Sequence, residues 1–351
     1  MSWRGVIEEF RDRLPLDAAI GAVTLLEGGT PLVEAARLAE ALSFSGKLFL
    51  KYEGLNPTGS FKDRGMTVAI SAAVANGADS VICASTGNTS ASAAAYAARA
   101  GIRAVVVVPE GKVAVGKLSQ AMAHGATVIA VAGGFDRALE IVTELAKQAN
   151  MVVVNSINPL RIQGQKTAAF EICDVLGRAP EYHCLPVGNA GNITAYWLGY
   201  REYCADGVVE RTPKMMGFQA AGAAPIVLDR VVQKPETVAT AIRIGNPASW
   251  HAAKQARDDS NGAIESVTDD EILDAYRTLA QTEGVFAEPA SAASIAGLKK
   301  LCAAGRLPRD VTVVCTLTGH GLKDPEIASE LSPPPIEAPA DVATVSALLG
   351  I

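Results

Sequence analysis

Residues 56–65 read Asn56-Pro57-Thr58-Gly59-Ser60-Phe61-Lys62-Asp63-Arg64-Gly65, and their flanks decide the fold. Before them runs an apolar, β-favouring stretch, 47–52, Lys-Leu-Phe-Leu-Lys-Tyr. After them comes a helical stretch, 65–74, Gly-Met-Thr-Val-Ala-Ile-Ser-Ala-Ala-Val. Lys62 therefore sits where a strand gives way to a helix. The first N–H groups of a helix point backwards and its dipole end is positive. A lysine there is disfavoured as an ammonium once it is partly buried. It becomes a neutral nucleophile able to attack carbonyls. Taken alone, the same lysine reads as an ordinary solvated helix-start residue.

The strand-then-helix habit continues outward. Apolar runs at 80–84, 104–108, 127–131 and 151–154 each lie beside a helical segment. The pattern returns at 182–187, 214–219 and 311–316. Continuous apolar strands joined by helical crossovers predict mostly parallel sheets covered on both faces. Two α/β lobes are expected. The smaller would span 46–153, on the substrate side. The larger, cofactor-binding lobe would combine 1–45 with 154–351. The proline-rich stretch 332–340 would connect it to a C-terminal tail. Closure of the smaller lobe is expected, with hinges near 45 and 155.

Composition narrows the function. The 351 residues are 49% hydrophobic and 19% charged, which describes a packed globular protein. The net charge of −6, with no long basic cluster, argues against nucleic acid as a partner. No segment is apolar enough for a membrane span, and the first ten residues resemble neither a signal nor a transit peptide. The cysteines at 83, 173, 184, 204, 302 and 315 form no CxxC pair. Free thiols in a reducing cytoplasm, with no metal site, are expected.

Three further turns carry chemistry. Residues 186–194, PVGNAGNIT, leave a strand and open a helix, with two glycines that can aim N–H groups at one point. This is an anion cradle of the phosphate-binding kind, or a plain βα turn. It lacks the Gly-Lys-Ser/Thr of a nucleotide loop. Residues 84–90, ASTGNTS, bring hydroxyls and an amide to another helix start. They suit a carboxylate or phenolic oxygen, or serve as an ordinary cap. Residues 315–324, CTLTGHGLKD, end a strand on Thr318, whose hydroxyl can meet a ring nitrogen. A carbonyl-trapping lysine, a phosphate cradle and a hydroxyl for a heteroaromatic nitrogen are what pyridoxal 5'-phosphate requires. The other cradle suits an amino-acid substrate.

On these residues the chain resembles the β-family (fold type II) of pyridoxal-phosphate enzymes, and within it the threonine synthases. The matching segments are EGGTPL (27–32), LNPTGSFKDRGM (55–66), ASTGNTSAS (84–92), PVGNAGNITA (186–195), EPASAAS (288–294) and TLTGHGLKD (316–324). The related dehydratases usually carry four consecutive glycines where this chain has Gly188-Asn189-Ala190-Gly191-Asn192. The resemblance implies a two-lobed, three-layer α/β/α fold of the tryptophan synthase β-like class. It implies a lyase acting on O-phospho-L-homoserine, in a cytoplasmic homodimer. Lys62 would hold the cofactor as a Schiff base and shuttle protons. Asn88 would contact the phenolic oxygen. Gly188, Asn189, Ala190, Gly191 and Asn192 would bind the cofactor phosphate, and Thr318 would face the ring nitrogen. A neutral hydroxyl there leaves the ring less electron-withdrawing than an aspartate would. Ser85, Thr86 and Thr89 would line the substrate site. Lys117, Asn155, Ser156 and Arg161 would take the substrate phosphate. Another β-family lyase, such as a threonine or serine dehydratase, is the alternative, and a cofactor-binding protein without turnover is a third. Glu288 would approach the cofactor or, more simply, serve as a helix-start acid, and His320 reads as loop packing.

Overall fold

The computed structural model describes residues 2–110 and 115–351; the side chains of 115–117 and of Asp136 lie outside the described set. Its strands are β1 (Leu32–Glu34), β2 (Lys47–Tyr52), β3 (Ser80–Ala84), β4 (Arg103–Pro109), β5 (Thr127–Val131), β6 (Met151–Val153), β7 (Tyr182–Pro186), β8 (Lys214–Ala220), β9 (Ala263–Val267) and β10 (Thr312–Leu317). Among the described residues they form two sheets, ordered β1-β2-β10-β7-β8-β9 and β5-β4-β3-β6. All pairings are parallel except β1 with β2. Helices cover both sheets, so the central strands are buried along their length and mostly apolar: β3, β7 and β10 are buried at every position. This is the expected fold type II architecture.

One strand falls elsewhere than the sequence reading put it. With the lobe boundary near 45, β2 would join the four-stranded sheet. It instead pairs residue for residue with β10, from Lys47↔Thr312 to Tyr52↔Leu317. The physical reason is burial: Leu48 and Leu50 complete an apolar layer with Val313 and Cys315 of the six-stranded sheet. The chain crosses to the four-stranded sheet only after Tyr52. Two elements, β1 and β9, carried no clear sequence signal. Both are short edge strands, and β9 interrupts its apolar residues with Glu265 and Ser266.

Helix Lys62–Ala75 and helix Pro159–Gln165 meet backbone to backbone. A Cβ on Gly65 would lie 2.6 Å from the Arg161 carbonyl oxygen, and one on Gly164 only 1.9 Å from that of Arg64. Only glycines permit this approach, which sets Arg161 below the start of the Lys62 helix. Among the described residues no helix is long and apolar enough to cross a membrane.

Candidate active site

The turns after β2, β3, β7 and β10 open on one cavity of about 890 Å³, at the carboxyl ends of parallel strands. Its wall includes Lys62, Ser85, Thr86, Asn88, Thr89, Asn155 and Ser156, the whole stretch Gly188–Asn192, and Thr318. Sequence reasoning thus gathered residues from four distant segments that the fold brings together. The Lys117 side chain lies outside the described residues. His320 is absent from the wall: its Nδ1 accepts from the Leu322 N–H and its ring stacks on Tyr52.

The Lys62 turn is fixed on every side. Gly59 takes φ +84°, a left-handed conformation that favours glycine. Asp63 accepts from the Thr58 N–H (2.7 Å), the Thr58 hydroxyl (2.6 Å) and the Ser92 hydroxyl (2.6 Å). The large sheet holds the turn too, since the Phe61 N–H donates to the Thr318 carbonyl and the His320 N–H to that of Gly59. Helix Lys62–Ala75 begins at the lysine itself. The amine lies 4.1 Å from the centroid of the Phe61 ring. Burial, and then the positive charge of Arg161, push its pKa down to about 7, against the opposing charge of Glu288. Near neutrality a substantial fraction is therefore uncharged amine.

Arg64, next along, anchors a buried cluster beneath the turn. It donates to Glu53 at 2.6 and 2.8 Å and to Glu171 at 2.6 and 2.7 Å. Lys51 donates to Glu171 at 2.6 Å and to the Thr30 carbonyl at 2.7 Å. Two cations and two carboxylates balance, and all four are buried. The cations hold both carboxyls below their usual range against burial, which alone would raise them.

The cradle at 188–192 has the shape an anion needs. Ala190 adopts φ +64° and caps helix Gly191–Ala205, which leaves the first N–H groups of that helix open to the cavity. A Cβ on Gly188 would lie 2.9 Å from Ile242 Cα. Asn189 accepts from the Ala248 N–H through its side chain and from the Ser249 N–H through its carbonyl. Among the described residues the buried Asn192 Nδ2 has no partner, and neither do Nε and Nη2 of Arg161. Arg161 is fully buried behind the cavity wall, with Nη1 donating to the Val154 carbonyl at 3.1 Å. Asn155 is committed to the Ala84 backbone through both ends of its amide, so it braces the Ser85 turn. Unpartnered buried donors beside a helix start fit a phosphate group.

Two charged wall residues, Glu288 and Lys323, turn out to face the cavity although their local sequence favours other roles. Glu288 occupies the position before helix Pro289–Ala303 yet caps nothing with its side chain, which turns into the cavity. Lys323 reaches across from the β10 turn, donating to the Thr58 carbonyl (2.9 Å) and to Gln120 (2.6 Å). It belongs to the segment TLTGHGLKD, where no local pattern shows which way a lysine points.

The family model described as "Pyridoxal-phosphate dependent enzyme" matches residues 23–319. A threonine synthase of Mycobacterium leprae is 58% identical over 99% of this chain and 97% of its own length. One of Synechocystis is 59% identical, over 94% of this chain and 86% of its own length. The chain belongs to the threonine synthase family. It is thus a pyridoxal-phosphate dependent enzyme. The fold also matches a solved threonine deaminase of Solanum lycopersicum, with TM-score 0.73 and 23% identity over 87% of this chain and 84% of that one. That likeness concerns architecture alone.

The depressed amine of Lys62 yields an expected result. Uptake of pyridoxal phosphate by apoprotein needs the neutral amine, so its rate rises with pH through a midpoint near 7 and levels off above 8. An unperturbed lysine would keep accelerating to beyond pH 10. Absorbance after rapid mixing at a series of pH values reads this directly.

Proposed function

We propose that this enzyme converts O-phospho-L-homoserine and water to L-threonine and phosphate. The observation that carries the reading is a pair of anion-ready regions flanking one depressed lysine. One is the 188–192 cradle on the six-stranded sheet. The other is the set Ser85, Thr86, Thr89 and Ser156, beside the four-stranded sheet, backed by Arg161. The cofactor phosphate needs the first; the carboxylate and phosphate of the substrate share the second.

When bound, pyridoxal phosphate supplies an electron sink that lets protons leave the α- and β-carbons, the γ-phosphate depart and water add at the β-carbon. The Gly188–Asn192 amides would hold its phosphate, Thr318 its ring nitrogen and Asn88 its phenolic oxygen. Lys62, depressed to about 7, is suited both to carbonyl capture and to taking and returning the α-proton. The Ser85–Thr89 turn would hold the substrate carboxylate. Arg161, with two unpartnered nitrogens, and Lys117 would take the phosphate. The test is to incubate the protein with phosphohomoserine and assay both products. Equimolar threonine and phosphate are expected; absence of either defeats the reading.

Arg161→Ala and Lys117→Ala separate this activity from a dehydratase, which needs no second phosphate site. Each lost charged hydrogen bond costs about 1.5–3 kcal/mol. KM for phosphohomoserine should therefore rise about tenfold or more while cofactor retention is unchanged. Indifference of KM to both changes would favour the dehydratase.

Substrate contacts on two sheets also favour closure of the cleft. Because β2 belongs to the six-stranded sheet, the first hinge is placed after Tyr52 rather than near 45, and the second near 155. Structures with and without a phosphonate analogue decide this. Superposition of both sheets as one rigid body in the two states would exclude closure. The reading includes a cytoplasmic homodimer, in keeping with the free thiols and with the family's common habit. Light scattering of the purified protein measures its mass in solution.

A further inference from the structure

Thr318 does not stand alone as a neutral hydroxyl. Its Oγ1 donates to Glu288 Oε1 at 2.8 Å, and Asn88 Nδ2 donates to Glu288 Oε2 at 3.0 Å. One carboxyl thus bridges the two side chains proposed to meet the ring nitrogen and the phenolic oxygen. Ser291 Oγ lies 3.0 Å from Thr318 Oγ1 and accepts from the Gly319 N–H. The approach is tight: a Cβ on Gly319 would lie 2.6 Å from the Glu288 carboxyl carbon. Glu288 is only 3% exposed.

A hydroxyl carries one proton and two lone pairs. With Glu288 ionised, the Thr318 proton points at the carboxylate, and one lone pair faces Ser291. Only the second lone pair remains for the cavity, so Thr318 can accept from a protonated ring nitrogen but cannot donate to a bare one. With Glu288 protonated the polarity reverses: the carboxyl donates to Thr318, whose own proton is free for an unprotonated ring. We propose that Glu288 is a positioning residue that sets, through the Thr318 hydroxyl, the protonation of the cofactor ring nitrogen, so that carboxyl and ring hold one proton between them. This rests on the placement of Thr318 at the ring nitrogen under the proposed function. It revises the expectation of a merely neutral partner, because a carboxyl stands one hydroxyl away.

The groups facing Glu288 are Asn88 from helix Asn88–Ala100, Lys62 from its own helix, and Thr318 and Lys323 from the β10 turn. Burial raises its pKa, while hydrogen bonds from Asn88 and Thr318 and the charges of Lys323 and Lys62 oppose the rise. The net effect is a raised pKa, which favours the protonated carboxyl more than an exposed glutamate would.

The experiment loads the protein with pyridoxal phosphate labelled with nitrogen-15 in the ring and records the ring-nitrogen chemical shift at pH 7.5. In Glu288→Gln, the amide oxygen must face the Asn88 donor. The amide NH2 then donates to Thr318, whose proton goes to the ring. The resonance is expected to move from the wild-type position toward that of unprotonated pyridine. Thr318→Val, which removes the hydroxyl between carboxyl and ring while keeping the Glu288 side chain, should move it the same way and carries the test if the glutamine variant fails to fold. Coincident shifts in wild type and in either folded variant would overturn the proposal while leaving the proposed function standing. Failure of wild type to bind the cofactor would overturn the function reading itself.

Discussion

Lys62→Ala is expected to lower kcat for phosphate release by at least about 10⁴-fold, because one side chain serves both as carbonyl-trapping nucleophile and as proton carrier. Borohydride should no longer fix cofactor to the protein. Fold and cofactor phosphate binding should survive: the Lys62 turn is held by Asp63 and by backbone bonds to the β10 turn, and among the described residues the amine makes no hydrogen bond to lose. The thermal transition is therefore expected within a few degrees of wild type. Assay of phosphate, borohydride trapping and circular dichroism together check this. Retention of more than about a thousandth of the wild-type rate would remove Lys62 from the chemistry.

Arg64→Met is the change expected to harm stability most. It removes the cation shared by Glu53 and Glu171 and leaves Lys51 to face both carboxylates. Breaking a buried pair costs about 3–5 kcal/mol, because the abandoned charge stays out of water. In wild type both carboxyls are held below the ordinary glutamate value of 4.5. They therefore contribute stability that is complete above that value and is lost as pH falls through the folded values. In the variant, Glu53 has lost its guanidinium partner and burial raises its carboxyl, so acid relieves the defect by protonating it. The deficit relative to wild type should shrink from pH 7.5 to pH 5. Urea unfolding at the two pH values measures it, and an equal deficit at both would show that packing rather than charge is lost.

Much of this could be read from the chain before any coordinates. The apolar runs of β3, β4, β7, β8 and β10 announced themselves because a sheet covered on both faces needs apolar residues throughout. The turns after β3, β7 and β10 were legible because glycines, hydroxyls and amides at helix starts have few other uses in that density. What stayed hidden depends on partners far away in sequence. β2 looks the same whichever sheet it joins; only its pairing with β10 decides. Glu288, followed by Pro289, has every local mark of a helix-start acid, and nothing nearby in sequence reveals Thr318 and Asn88 as its partners. Lys51, Glu53, Arg64 and Glu171 look like surface charges by residue type, since a buried network of charges leaves no periodic trace.

The bonding of the Lys62 turn to the β10 turn bears on the order in which the molecule is made. Ser60 bridges Gly319, and β2 lies between β1 and a strand that begins only at Thr312. A chain still emerging from the ribosome holds Lys62 early but cannot frame it until nearly all its length has been synthesised. Loop closure over that span is slow compared with local helix formation. A nascent or prematurely terminated chain thus carries the lysine on an unformed turn, exposed to water and fully charged, without the groups that make it reactive. The surroundings that lower the Lys62 amine are therefore expected to be complete only once the last strand has paired with β2.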